Sequence, residues 1–318
     1  MSLIFTQLGQ VIGSAVLSLA LYFSGLFFLF TPFPLFYLSL RAKKKFWFAS
    51  FLLVILLAVL FYNWVLPPGA RFTNMSLLGY YLLITLFLTI GAWRRFSWVH
   101  WGAFVAGATT VLVLGGATLV QKLGFFDFSA SLAHVIQNIS QTLDQAVSSQ
   151  SLKENRLEVL SFIAQFKVAL TFIPKLLPSL IFDFTLFVMI LNLALLNLLA
   201  RQIKPFSWNS PFHRLQLPSF LVWVVIAAGF GYFLDIYFLK VGLLKMAIIN
   251  LLIIVSFVYF IQGMSIMAFF LKRYSPLFRF GIYGLVILFF QMMTIIVMGL
   301  GLADTWFDFR KLQKQPTK

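Results

Sequence analysis

From Ile4 to Leu40 the chain carries no charged residue, and further long apolar runs recur as far as Ala303. About 20 apolar residues in an α-helix cross the ~30 Å hydrocarbon core of a bilayer. In lipid each backbone N–H and C=O must be paired within the protein, which makes helices the natural spanning element for runs of this length. Composition points the same way: 61% of residues are hydrophobic, 10% are charged and 40 are Phe. A soluble domain carries about 25% charge. The expectation is an all-α, polytopic transmembrane helix bundle of about eight or nine spans, forming a single integral membrane domain over residues 1–318.

The first apolar run is interrupted by Gly25 and by Thr31-Pro32-Phe33-Pro34. It reads as a hairpin of spans 4–22 and 25–41, with one long tilted helix broken at Pro as the alternative. Further spans are expected at 46–66, 76–93, 98–120, 178–200, 219–239, 243–271 and 277–303. The first of these stops at Pro67-Pro68-Gly69. Residues 121–177 differ, because they hold Asp127, Asp144, Glu154 and Glu158, half of the chain's acids. Segment 129–150 is Ser/Gln-rich, while 156–172 is apolar but carries Glu158 and Lys167. Charges at the middle of a span are costly, so this part reads as an interfacial amphipathic helix between the fifth and sixth spans. The expected order is N-terminal helices over 4–120, an extramembrane segment over 121–177, C-terminal helices over 178–303 and a basic tail over 304–318.

The net charge of +16 is concentrated in short clusters between apolar runs. These are Arg41 with Lys43, Lys44 and Lys45; Arg94 and Arg95; Arg201, Lys204 and Arg214; and Lys272, Arg273 and Arg279. Two spans separate each cluster from the next, so all four fall on one side, the cytoplasm of a bacterial cell membrane. Segment 121–177 is then external. The tail residues Arg310, Lys311, Lys314 and Lys318 conflict with this count. Three resolutions are open: the last span does not fully cross, 156–177 crosses, or the tail breaks the charge rule. Basic loops of this kind face anionic lipid, and no soluble basic domain exists to bind nucleic acid. Trp47, Trp64, Trp93, Trp98, Trp101 and Trp208 cluster at expected span ends as an interfacial belt.

No Cys is present, and His100, His134 and His213 are too dispersed for a metal-ligand pattern, so no cofactor is expected. No phosphate loop, nucleophile elbow or His-Glu-x-x-His run occurs, and no enzyme is expected. The N-terminus reads as a first membrane helix rather than a cleavable signal.

Function in such a chain would show as polar groups inside spans. Asn192, Asn250, Gln262, Ser265 and Gln291 form the candidate solute site, with Asn63 and Asn197 nearer span ends. Lining a polar cavity is one reading and bonding neighbouring helices is the other. Asp183 and Asp235 fall near expected span ends, within reach of interfacial water. Asp304 and Asp308, one turn apart, favour a local ion-pair network with Arg310 and Lys311. Gly102, Gly107, Gly115, Gly116, Gly229 and Gly231 permit close helix approach.

Three stretches carry a family resemblance. They are Thr31-Pro32-Phe33-Pro34-Leu35 running on to Arg41; Asn250 with Gln262-Gly263-Met264-Ser265 and Phe269 to Arg273; and Gly301-Leu302-Ala303-Asp304-Thr305-Trp306-Phe307-Asp308-Phe309-Arg310-Lys311. Together they resemble the YybS-like family of predicted bacterial membrane proteins, a domain of unknown function. The resemblance implies a fold distantly similar to the substrate-binding S components of energy-coupling-factor transporters. It implies no established activity, and marks Asp304, Asp308 and Arg310 as motif positions without a role. The expected function is a component that binds or transports a small polar solute, energised by a separate partner or an ion gradient. The alternative is a structural protein that docks cell-envelope partners through 121–177.

Overall fold

The computed structural model describes residues 2–94, 96–124, 127–149, 156–199 and 212–311. Arg95, Glu154, Arg201, Lys204, Trp208, Lys314 and Lys318, which entered the charge and belt arguments, lie outside the described residues. The described residues form α-helices and short helical turns with no strand. In chain order the helices are α1 (Ser2–Phe23), α2 (Phe33–Arg41), α3 (Lys44–Val65), α4 (Pro68–Arg94), α5 (Trp98–Lys122) and α6 (Phe128–Ser149). They continue with α7 (Arg156–Leu199), α8 (Leu221–Leu234), α9 (Gly242–Leu271), α10 (Pro276–Leu288) and α11 (Phe290–Phe307).

Among the described residues, seven helices are long and apolar enough to cross a membrane, on α3, α4, α5, α7, α8, α9 and α11. Two shorter apolar helices, Gln7–Phe23 and Pro276–Leu288, accompany them. Local chemistry sets several boundaries. Leu66 is extended before Pro67, which ends α3. Ser275 caps α10, its Oγ accepting from the Phe278 N–H at 3.4 Å, with Pro276 in the first turn. After α8 the chain makes a five-residue π-helical turn, Asp235–Leu239, and leaves through left-handed Lys240.

Three expectations are corrected. The span expected at 25–41 is a 3-10 turn over Phe28–Phe30 and a nine-residue helix. Nine residues rise only ~14 Å, about half a bilayer core. Gly25 turns the chain at φ +67°, and Pro32 opens α2. Residues 156–172 are not a separate interfacial helix but the start of α7, which runs unbroken for 44 residues through Pro174 and Pro178. The span expected at 277–303 is two helices, broken at Phe289, and the second continues to Phe307.

The chain divides into two compact units. The first comprises Met1–Thr109, Phe182–Leu221 and Phe257–Lys318. Its core packs Ala15, Leu35, Phe36, Val54, Tyr81 and Met189, all fully shielded or nearly so. Trp101 lies where a Gly91 side chain would stand, and its indole N–H donates to the Phe87 carbonyl at 2.9 Å. The second unit comprises Thr110–Ile181 and Val222–Ser256. Within it, Lys167 pairs with Asp144 at 2.6 Å, joining α7 to α6 at an exposed site.

Candidate functional site

In the first unit, α9 and α11 cross at glycines. A Cβ on Gly301 would overlap the Tyr259 backbone, and one on Gly263 would overlap that of Val297. This approach brings Gln262 and Ser265 of α9 to Asp304 of α11. Beyond α11 the chain turns sharply, with Asp308 at φ +39° and Lys311 at φ +50°. The turn folds Arg310 back into the protein. Its Nη2 donates to Asp304 Oδ2 and to the Leu215 carbonyl, each at 2.7 Å. Its Nη1 donates to Ser265 Oγ at 2.9 Å and to the His213 carbonyl at 3.2 Å. Asp304 also accepts from Gln262 Nε2 at 3.2 Å and from the Phe309 N–H at 3.0 Å. The paired side chains are 0% and 2% exposed. The expected ion pair therefore forms, but buried rather than at the surface, and it ties the tail to two distant segments. Gln262 Oε1 and Arg310 Nε are buried without a hydrogen-bond partner.

This arrangement addresses the conflict over the tail. Lys272, Arg214 and Arg310 all act electrostatically on His213, so the three basic groups gather at one place. Burial is the larger cause holding the His213 imidazole below its ordinary pKa, and these charges add to it. The tail thus begins beside the basic groups that flank α8 and α9, and the expected last span is not one continuous helix.

The other candidate residues do not join this cluster. Asn192 Nδ2 donates to the Leu29 carbonyl at 2.9 Å, in the 3-10 turn that links α1 and α2. Ser18 donates to the Thr31 carbonyl of the same link at 2.7 Å. Asn250 belongs to the second unit. Its Oδ1 accepts from the Ser179 N–H at 3.0 Å, and its Nδ2 donates to the Lys175 carbonyl at 2.8 Å. Those two backbone groups would pair with each other in a regular helix. The amide bridges them one residue beyond Pro178, where the ladder is disturbed. Gln291 and Asn197 are exposed. Asn63 accepts from Arg71 Nη1 at 3.1 Å, bracing the turn from α3 to α4.

Asp235 closes the turn after α8, its Oδ1 accepting from the Val241 N–H at 2.8 Å. Asp183 is not near the start of a helix as expected. Because α7 begins at Arg156, Asp183 lies deep within it, about four turns before Leu199. Its Oδ1 is buried without a hydrogen-bond partner, and it makes no ion pair among the described residues.

Sequence reasoning did not find the site with room for a ligand. In the second unit, α5, α6 and α7 line a half-open cavity of about 630 Å³. Leu114 and Ala117 of α5, Leu132 and Ile136 of α6, and Pro174 and Leu177 of α7 give it apolar walls. Thr118, Gln121, Gln137 and Thr171 supply polar groups, and none of the lining side chains is ionisable. Both threonines bond within their own helices, Thr118 to the Gly115 carbonyl and Thr171 to that of Val168. The available signal was the apolar stripe of α6, with Leu132, Val135, Ile136 and Ile139 at helical spacing.

Residues 11–305 match the family model described as "Predicted membrane protein (DUF2232)". The chain belongs to this family. The YybS-like resemblance is the same assignment, and it makes the chain a multi-pass integral membrane protein. The DUF2232 match reaches one residue beyond Asp304, so Asp308 and Arg310 follow it. No match is found among curated proteins or among solved structures. Both the α5–α7 cavity and the α9–α11 crossing lie inside the DUF2232 region.

Proposed function

We propose that this DUF2232 protein is a non-catalytic component of a bacterial cytoplasmic membrane that binds a small, neutral, largely apolar solute. It acts as the binding part of a transport system energised from outside the chain. The cavity between α5, α6 and α7 carries this reading. Its 630 Å³ falls within the ~300–1,000 Å³ range of small-molecule sites, which combine apolar walls with a few polar groups. A charged solute is disfavoured, because no lining group could neutralise it. The site lies near the end of α5 under the amphipathic α6, where a membrane-dissolved molecule has access.

The test is photolabelling of the reconstituted full chain with a diazirine-bearing long-chain alcohol, with adducts mapped by peptide mass spectrometry. Labelling should concentrate on residues 114–121, 132–137 and 171–177, and fall in Ala117→Trp, which fills the cavity. Adducts spread evenly over all lipid-facing helices, in wild type and variant alike, would refute it.

The assembly reading rests on a different observation. The amide N–H groups of Asn192 and Asn250 are occupied in closing backbone gaps, as in a rigid scaffold. It requires that deletion of 129–149 removes an envelope protein from a pull-down while photolabelling elsewhere is unaltered.

A further inference from the structure

The ends of α2, α3 and α4 meet around one tryptophan. The Trp93 indole N–H of α4 donates to the Ser39 carbonyl of α2 at 3.2 Å. Its ring packs edge-on against Trp47 of α3, with centroids 5.2 Å apart. The Lys44 ammonium lies 5.0 Å from the Trp93 ring, and Arg41 lies 4.7 Å from that of Tyr37. This junction gathers five exposed cations: Arg41, Lys43, Lys44, Lys45 and Arg94. None makes an ion pair among the described residues. The sequence contains no acid before Asp127 that could offset them.

The charge is also placed against local preference. α3 opens on Lys43, Lys44 and Lys45, with no acid in its first turn and no side-chain cap. Cations there oppose the helix dipole and leave the first backbone N–H groups without a side-chain acceptor. An anion at that point would reverse both effects. Depth selects the kind of anion. Lys44 opens one candidate span and Arg94 closes the next, which sets the cations at span ends, at the level of lipid headgroups.

We propose that Arg41, Lys43, Lys44, Lys45 and Arg94 form a binding site for the phosphodiester headgroup of an anionic phospholipid. The site fixes the α2–α3–α4 end of the protein in the cytoplasmic leaflet, where anionic lipid attracts basic clusters. It is independent of the α5–α7 cavity.

The test uses the full chain in nanodiscs of phosphatidylcholine mixed with phosphatidylglycerol. Native mass spectrometry counts the lipids each protein retains on release. Wild type should retain phosphatidylglycerol in preference to phosphatidylcholine, and K43S/K44S/K45S should lose that preference. Lys245→Ser, at a basic position outside this junction, should keep it. Should the triple variant not fold, judged by helical circular dichroism, Arg94→Ser gives the same reading with a smaller loss. The proposal is overturned if wild type shows no preference, or if both junction variants keep it. It is also overturned if excess inorganic phosphate removes the bound lipid, because the site would then take free phosphate rather than a headgroup.

Discussion

Removing the Arg310 guanidinium should unlock the C-terminal end of the bundle. In Arg310→Met, four hydrogen bonds vanish, those to Asp304, Ser265 and the carbonyls of His213 and Leu215. The Asp304 carboxylate stays 3% exposed with only Gln262 and the Phe309 N–H as donors. Leaving one half of a buried pair uncompensated costs about 3–5 kcal/mol. Replacing both halves with apolar residues removes the buried charge, so Asp304→Leu with Arg310→Met should cost clearly less than the sum of the single changes. The double-mutant cycle should report a coupling of about 1–3 kcal/mol. Reversible unfolding in mixed micelles with increasing dodecyl sulfate would measure each variant. If Arg310→Met costs under ~1 kcal/mol, or the two changes simply add, the pair is not the lock described.

Asn250→Ala should leave Ser179 N–H and Lys175 C=O without the bridging amide, at a cost of about 1–3 kcal/mol. Faster hydrogen exchange at the Ser179 amide would report it, and unchanged exchange would remove Asn250 from that role. Gly301→Ala should force α9 and α11 apart, because its Cβ meets backbone at Tyr259 and Gly263 rather than a movable side chain. A loss of about 1–3 kcal/mol is expected; since the chain has no Cys, a cysteine pair placed across the crossing would report the separation by slower disulfide formation. His213 should titrate below the ordinary value of 6.5, and Lys272→Gln should raise its pKa. The sign follows from the depressed value: this group adds no pH dependence well above 6.5, and stability falls on acidification toward the folded-state pKa. Imidazole NMR shifts followed against pH would check both, and a His213 pKa above 6.5 would contradict the described surroundings.

Apolar runs alone located most of the long helices, because lipid solvates such runs whatever packs beside them. Breaks within the runs were harder to place. Gly25 and Pro32 marked an interruption within 24–32, but its extent, a 3-10 link held by Ser18 and Asn192 in place of a second full span, depends on contacts distant in sequence. The start of α7 erred the other way. Pro174, Pro178 and the charges before them argue for separate elements, yet Asn250, distant in sequence, closes the gap. The break at Phe289 has neither Pro nor Gly at Leu288, Phe289 or Phe290, and nothing in the local sequence explains it. At the C-terminus the motif was visible but its use was not. The Asp304–Arg310 pair depends on a left-handed Asp308 and on carbonyls near position 214, which helical spacing cannot reveal.

The intramembrane amides and the ligand site thus separate on physical grounds. A polar side chain in a helix bundle has two uses, contact with solute or satisfaction of backbone that cannot pair with itself. Asn192 and Asn250 have their amide N–H groups on carbonyls in the 3-10 link between α1 and α2 and beside a proline-disturbed turn. Moving either amide N–H to a solute would reopen a gap costing about as much as the new contact gains, whereas the Asn192 Oδ1 is buried without a partner. The α5–α7 cavity carries no such conflict, because Thr118 and Thr171 satisfy their hydroxyl donors locally and still offer oxygen lone pairs. A ligand can therefore enter there without dismantling helix structure. If solute contact were instead mapped to the amide N–H groups of Asn192 or Asn250, the backbone at Leu29 or Lys175 would have to find another partner in the bound state.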